Sequence, residues 1–183
     1  MSAQGSIKMT VMQGEAKASG DERVIMSTVL GSCISTCLYD PIAQVGGMNH
    51  FLLPKPLDEA AEAKFDRSYG LFLMELLIND MLKQGAQKHR LKARVYGGAN
   101  INANLGPIGS ENAAFARKFL RDEGIEIVHE DLEGNRARRV EFRPADGRVR
   151  ARHVANEASP PLTAPRDKPG GSDKAPVGSV ELF

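Results

Sequence analysis

Short apolar runs of period two, each stopped by Gly, Pro, Asn or Asp, dominate this chain and leave it few folds. Eight read as strands: Ile7 to Met12, Arg23 to Leu30, Ile34 to Tyr39, Val45 to Leu53, Lys92 to Tyr96, Ile125 to Val128, Ala137 to Phe142 and Arg148 to Val154. Two stretches carry helical spacing instead. The first, from about Asp66 to Gln84, places Tyr69, Phe72, Leu73, Leu76, Leu77 and Met81 on one face, with Gly85 as its stop. The second opens after Ser110, carries Phe115, Phe119 and Leu120, and ends at Gly124. The helices do not alternate with the strands, so the pattern predicts an α+β fold with mixed sheets rather than a doubly wound one.

The prolines set the domain boundary. Of ten in the chain, five fall between Glu157 and Phe183, where large apolar residues are scarce. This predicts one folded domain over residues 1–156 and a disordered Pro/Gly/Ser-rich tail over 157–183, a tether ending in Val180-Glu181-Leu182-Phe183. Lys and Arg number 24 against 23 Asp and Glu, so the chain lacks the overall positive field of a nucleic-acid binder. No apolar run approaches the roughly 18 residues of a membrane span, so a membrane-inserted protein is not expected. Two cysteines cannot build a disulfide framework, and the N-terminus lacks the apolar core of a signal peptide. A cytoplasmic protein with free thiols is the expectation.

Chemistry concentrates in Ser27-Thr28-Val29-Leu30-Gly31-Ser32-Cys33 and in Gly46-Gly47-Met48-Asn49-His50-Phe51-Leu52-Leu53-Pro54. Alone, a Cys or a His in an apolar strand is ordinarily a core residue. Together, a thiol behind a Gly-allowed bend and an imidazole on the next hairpin supply a nucleophile and its base. A zinc site built from Cys33, Cys37 and His50 fails on distance, because cysteines four apart on a strand are separated by about 13 Å and zinc–sulfur bonds are near ~2.3 Å. Cys37 is therefore expected in the core. Val95-Tyr96-Gly97-Gly98-Ala99-Asn100 lacks the Gly-Lys-Ser/Thr ending of a phosphate loop and reads as a strand end where backbone approaches the substrate. If Ile34–Asp40 and Val45–Leu53 form a hairpin with Asp40 facing Val45, His50 lies opposite Ser35 and shares a face with Cys33, about 7 to 8 Å away between Cα atoms. A bulge at Gly46-Gly47 would slip that register by one and turn His50 to the other face.

The Leu30-Gly31-Ser32-Cys33 block, Cys37-Leu38-Tyr39-Asp40-Pro41 and the Gly46-to-Pro54 block closely resemble the CheD family of chemoreceptor glutamine deamidases. The likeness continues through Tyr69-Gly70, Val95-to-Asn100, Ile108-Gly109 with Asn112, and Arg138 to Phe142, covering roughly residues 7 to 154. The resemblance implies hydrolysis of glutamine side-chain amides to glutamate on methyl-accepting chemotaxis receptors, with ammonia released and no cofactor. It implies Cys33 as nucleophile, His50 as general base, and an upstream hydroxyl to orient the imidazole, either Thr28 or, at the family's alternative spacing, Ser27. Ser27, Ser32 and Asn49 are expected near the substrate. It further implies a layered α/β/β fold similar to toxin deamidases, and a CheC-type phosphatase as a second partner. Another Cys-His acyl-transfer enzyme and a non-catalytic adaptor for such a phosphatase are the rival readings. Arg148, Arg150 and Arg152, extended by Arg139 and Arg143, are expected on one strand face, either steering an acidic receptor bundle or simply solvated.

Overall fold

The computed structural model describes residues 5–53 and 63–154. The tail over 157–183 lies outside them. In chain order the elements are β1 (Ile7–Thr10), β2 (Glu15–Ser19), β3 (Val24–Leu30), β4 (Ile34–Asp40), β5 (Val45–His50), α1 (Ala63–Lys83), β6 (Lys92–Gly97), α2 (Ile108–Asp122), β7 (Glu126–Leu132), β8 (Arg138–Arg143) and β9 (Arg148–His153). They make a four-stranded sheet in the order β1-β3-β8-β9 and a five-stranded sheet in the order β2-β5-β4-β6-β7. The pairs β1/β3 and β6/β7 run parallel and the others antiparallel, so both sheets are mixed.

Two cores define three layers. Ile34, Leu38, Val45 and Val95 from the five-stranded sheet pack against Leu73, Met74, Leu77, Ala116 and Phe119 of the helices. On the opposite face Cys37, Met48 and Tyr96 meet Met26, Leu30, Val140 and Phe142 of the four-stranded sheet. The central β4 is covered on both sides and six of its seven residues are buried, whereas β3, solvated on one face, alternates. The α/β/β layering agrees with the expected fold class.

Two details depart from the sequence reading, and a third keeps to it. The strand β2, Glu-Ala-Lys-Ala-Ser, has no β-branched residue to announce it and forms through its ladder to β5 and its cover by α1. In α1 the buried stripe is Leu73, Met74, Leu77, Ile78 and Met81, while Phe72 remains 57% exposed. Gly46 and Gly47 cause no bulge. The β4–β5 ladder keeps one register from Asp40↔Val45 to Cys37↔Met48, and the Ile34↔Phe51 bridge continues it. The glycines serve close approach instead: a Cβ on Gly46 would lie 2.3 Å from the Pro144 carbonyl, and one on Gly47 2.5 Å from Leu77.

The arginines fall where the period placed them. Arg148, Arg150 and Arg152 are exposed on β9, paired with Arg143, Glu141 and Arg139 of β8. Glu141 interrupts the face, and Asp146 lies 3.5 Å from Arg143 and 3.7 Å from Arg148.

The hairpin end is fixed by Asp40, whose side chain is fully buried. It accepts from the backbone N–H groups of Ile42, Ala43 and Gln87 and pairs with Arg90 at 2.7 Å. Burial opposes its ionisation, but the Arg90 guanidinium and those N–H donors outweigh it and hold the carboxyl well below its ordinary range. Asp40→Ala strands the Arg90 charge and three donors, and is expected to lower unfolding free energy by about 3 kcal/mol at pH 7. Because the folded carboxyl is depressed, its contribution is complete above about pH 4 and declines on further acidification. Urea unfolding at pH 7 and pH 3 should show the gap between wild type and variant narrowing at the lower pH.

Candidate active site

Strand alternation aims the site's side chains. In β5 the residues Met48 and His50 face the four-stranded sheet, and Asn49 faces the helices. In β3 the inward set is Val24, Met26, Thr28 and Leu30. Thr28 and His50 therefore meet between the sheets, with Thr28 Oγ1 2.8 Å from His50 Nδ1. The Val11 carbonyl lies 3.3 Å from the same nitrogen. A carbonyl can only accept, so it favours the tautomer with the proton on Nδ1 and leaves a lone pair on Nε2. That Nε2 is buried and has no partner among the described residues.

Cys33 follows the bend at Gly31-Ser32 and packs against the inter-sheet core, the side that carries His50. Its loop is held by backbone rather than by side-chain packing. Gly98 N–H donates to the Cys33 carbonyl at 2.8 Å, Ala99 N–H to the Gly31 carbonyl at 2.9 Å, and Asn112 Nδ2 to the Ser32 carbonyl at 2.9 Å. Gly97 and Gly98 adopt φ of 109° and 66°, and a Cβ on Gly97 would fall 2.1 Å from the Cys33 carbonyl oxygen. The glycines at this strand end thus bring backbone against the loop that carries Cys33.

Electrostatically the pair rests neutral. Burial pushes the Cys33 thiol up to about 11, partly offset by its own backbone N–H. Burial also holds the His50 imidazole below its ordinary value, against the opposing pull of the Val11 carbonyl. The thiol donates to Gln13 Oε1 at 3.5 Å. Cys37 is fully buried, with its thiol pushed up to about 12, a core position as expected.

The remaining candidates separate. Of the two hydroxyls upstream of the thiol, Thr28 is the one on His50, while Ser27 occupies the alternate, outward position of β3. Ser32 borders a shallow pocket with Asn100, Ile101, Asn102 and Ile108 beside the Cys33 loop. Asn49 was expected at the substrate but is fully buried on the helix side, accepting from Thr36 N at 2.8 Å and donating to Met74 Sδ at 3.0 Å. It secures the hairpin and α1. Val11 and Gln13 went unnoticed, since neither residue type advertises a role in a strand-to-turn segment; the Gln13-Gly14 pair was the one available turn signal. Among the described residues no group of three or more His, Cys, Asp or Glu could hold a metal, and no helix is long and apolar enough to cross a membrane.

Comparison with known proteins finds relatives of this chain. A family profile described as CheD, chemotactic sensory transduction, matches residues 52–153. A Zymomonas mobilis protein named probable chemoreceptor glutamine deamidase CheD is 53% identical over 150 residues, 82% of each chain. Its namesake from Caulobacter sp. strain K31 is 50% identical over 178 residues, covering 97% of this chain and 94% of that one. A solved Neisseria meningitidis structure of the DUF152 family aligns with TM-score 0.45 and 11% identity over 71% of this chain and 63% of its own, too distant to inform the site. The profile spans more than half of the chain, and the Caulobacter relative, covering 97% of it, extends through the Thr28, Cys33 and His50 segments, so the chain belongs to the CheD family.

Proposed function

We propose that this chain deamidates glutamine side chains on chemoreceptors, with Cys33 as nucleophile, His50 as general base and acid, and Thr28 as the group that orients the imidazole. The observation that carries the reading is the Thr28–His50 hydrogen bond between the two sheets, which holds the ring through Nδ1 and leaves Nε2 unpartnered among the described residues, in the seam against which Cys33 packs. The relatives' names supply the substrate class.

The chemistry follows from two neutral partners. His50 Nε2 takes the thiol proton as sulfur attacks the amide carbon, and the oxygen takes up charge near the Cys33 backbone N–H. The imidazolium then gives its proton to the departing nitrogen, releasing ammonia and leaving a thioester. Water, deprotonated by His50, attacks the thioester, and glutamate and the free thiol are regenerated. The sequence of steps needs no cofactor. Residues 1–156 form the deamidase domain in this reading, with 157–183 as a tether. The site of action is the cytoplasmic region of methyl-accepting receptors. A retained nucleophile and base are not what a pure adaptor requires, so binding of a CheC-type phosphatase would be a second role.

Incubation with a receptor cytoplasmic fragment, followed by peptide mass spectrometry, should show the amide-to-acid shift at selected glutamines and release of ammonia. Cys33→Ala should abolish both while keeping the wild-type melting temperature; wild-type turnover by that variant would remove Cys33 as nucleophile.

The pH profile is a second check. Because His50 sits below its ordinary value, its neutral form persists into mild acid. The acid limb of kcat/KM should therefore have its midpoint below 6.5, and activity should hold through pH 9, since the thiol proton is lost only near 11. A midpoint at or above 6.5 would assign the limb to another group.

Thr28→Val, which keeps the shape and deletes the hydroxyl, should lower kcat by roughly 10- to 100-fold, the equivalent of about 1–3 kcal/mol for a lost buried hydrogen bond. Thr28→Ser should recover most of it.

A further inference from the structure

The thiol of Cys33 is hydrogen-bonded to one side chain, and that side chain is itself a glutamine amide. Gln13 is exposed, yet its position is not that of a loose surface residue. It stands at the tip of a tight turn in which Glu15 N–H bonds the Met12 carbonyl at 3.0 Å and Gly14 takes φ of 87°. This is the arrangement of a turn that needs glycine at its third position. The Glu15 carboxylate closes back on Met12 N–H at 2.8 Å. Gly14 N–H bonds the carbonyl of His50 at 2.7 Å, and one residue before the turn the Val11 carbonyl holds His50 Nδ1. A Cβ at Gly14 would lie 2.6 Å from the Tyr69 hydroxyl, so Tyr69 would have to move to admit one. The turn is thus bolted to the backbone of the base, and its tip touches the nucleophile.

An acyl-transfer site needs donors where the amide oxygen becomes an oxyanion, ordinarily more than one. In this reading the backbone N–H of Cys33 itself supplies the first. Four amides around the loop are engaged elsewhere: Gly98 N–H on the Cys33 carbonyl, Ala99 N–H on the Gly31 carbonyl, Asn112 Nδ2 on the Ser32 carbonyl, and Asn100 Nδ2 on Ser110 Oγ at 2.8 Å. The Gln13 NH2 has no partner among the described residues. A primary amide presents an acceptor at one end and two donors at the other. With the thiol protonated, Oε1 accepts from it. Once sulfur has given its proton to His50 and charge has moved to the substrate oxygen, nothing is left for Oε1 to accept. Rotation about the terminal side-chain bond, which is soft, then brings the NH2 to the same place.

We propose that Gln13 is a catalytic residue of this site, its side-chain amide donating the second hydrogen bond to the oxyanion formed when Cys33 attacks the substrate glutamine. The inference rests on the deamidase reading above.

Three chains decide it: wild type, Gln13→Ala and Gln13→Glu, each assayed for deamidation of a receptor cytoplasmic fragment, with kcat and KM separated and melting temperatures recorded. Gln13→Ala should lose about 10- to 100-fold in kcat with KM changed less than about threefold, since the donor acts only on the developing charge. Gln13→Glu distinguishes donor from acceptor. A carboxylate can still accept from the thiol but cannot donate, and it repels an oxyanion, so this variant should be slower than Gln13→Ala. Unchanged kcat in Gln13→Ala, or wild-type activity in Gln13→Glu, would overturn the proposal. So would a rise in kcat/KM for Gln13→Ala, which would make Gln13 an internal competitor occupying the substrate's place. Absence of deamidation by wild type itself would instead reject the underlying reading.

Discussion

The register of one hairpin decides what this molecule can do. With Asp40 opposite Val45 and Ile34 opposite Phe51, every second residue of β5 is delivered to the seam between the sheets, and His50 arrives beside Thr28. A slip of one residue would place Asn49 in the seam and bury His50 against Met74, exchanging a base for an amide. The buried Asp40 at one end of the hairpin and the Asn49 amide bonded to Thr36 N–H near the other hold the pairing in place. Stability and chemistry are therefore specified by the same few contacts.

The seam also sets the electrostatics. A Cys–His site can rest as an ion pair or as two neutral groups, and the balance follows from solvation. Here both partners are pushed by burial toward their uncharged forms, so in the proposed reaction charge would arise only when an oxyanion and an imidazolium form together. Preorganised dipoles matter most in such a case because nothing in the resting site compensates the charge in advance. The neutral rest state also suits a thiol that must not react with every electrophile.

Much of this was legible in the sequence. Period-two runs placed eight strands, Gly85 and Gly124 marked the helix ends, and counting along the hairpin put His50 on the face of Cys33. Where the reading fell short, tertiary contacts outweighed local propensity. The strand β2 has an alanine-rich composition that pattern alone assigns to nothing, and it exists because the edge of β5 and the face of α1 require cover. Asn49 sits in a block shared with deamidases and was taken for a substrate contact, but strand parity sends it to the opposite side of the sheet from His50. The choice between Thr28 and Ser27 could not be made from spacing; alternation along β3 makes it. Gln13 could not be foreseen, because its meaning comes from a turn that folds back across residues 20 positions away.

The loop that presents Cys33 contains none of its own restraints. Thr28, Cys33 and His50 all lie in the first 50 residues, but the carbonyls of Gly31, Ser32 and Cys33 are held by Ala99, Asn112 and Gly98, and the Ser32 contact spans 80 residues of sequence. Synthesis from the N-terminus therefore delivers every reacting side chain well before the backbone that shapes them. Until α2 has left the ribosome, the nascent chain carries a thiol and an imidazole without a site, and β8, which pairs with the strand bearing Thr28, arrives later still. The shape of a loop in the first third of the polypeptide is thus completed by the last two, and a nascent fragment ending before α2 carries Thr28, Cys33 and His50 without the Asn112 restraint on the Ser32 carbonyl and without β8.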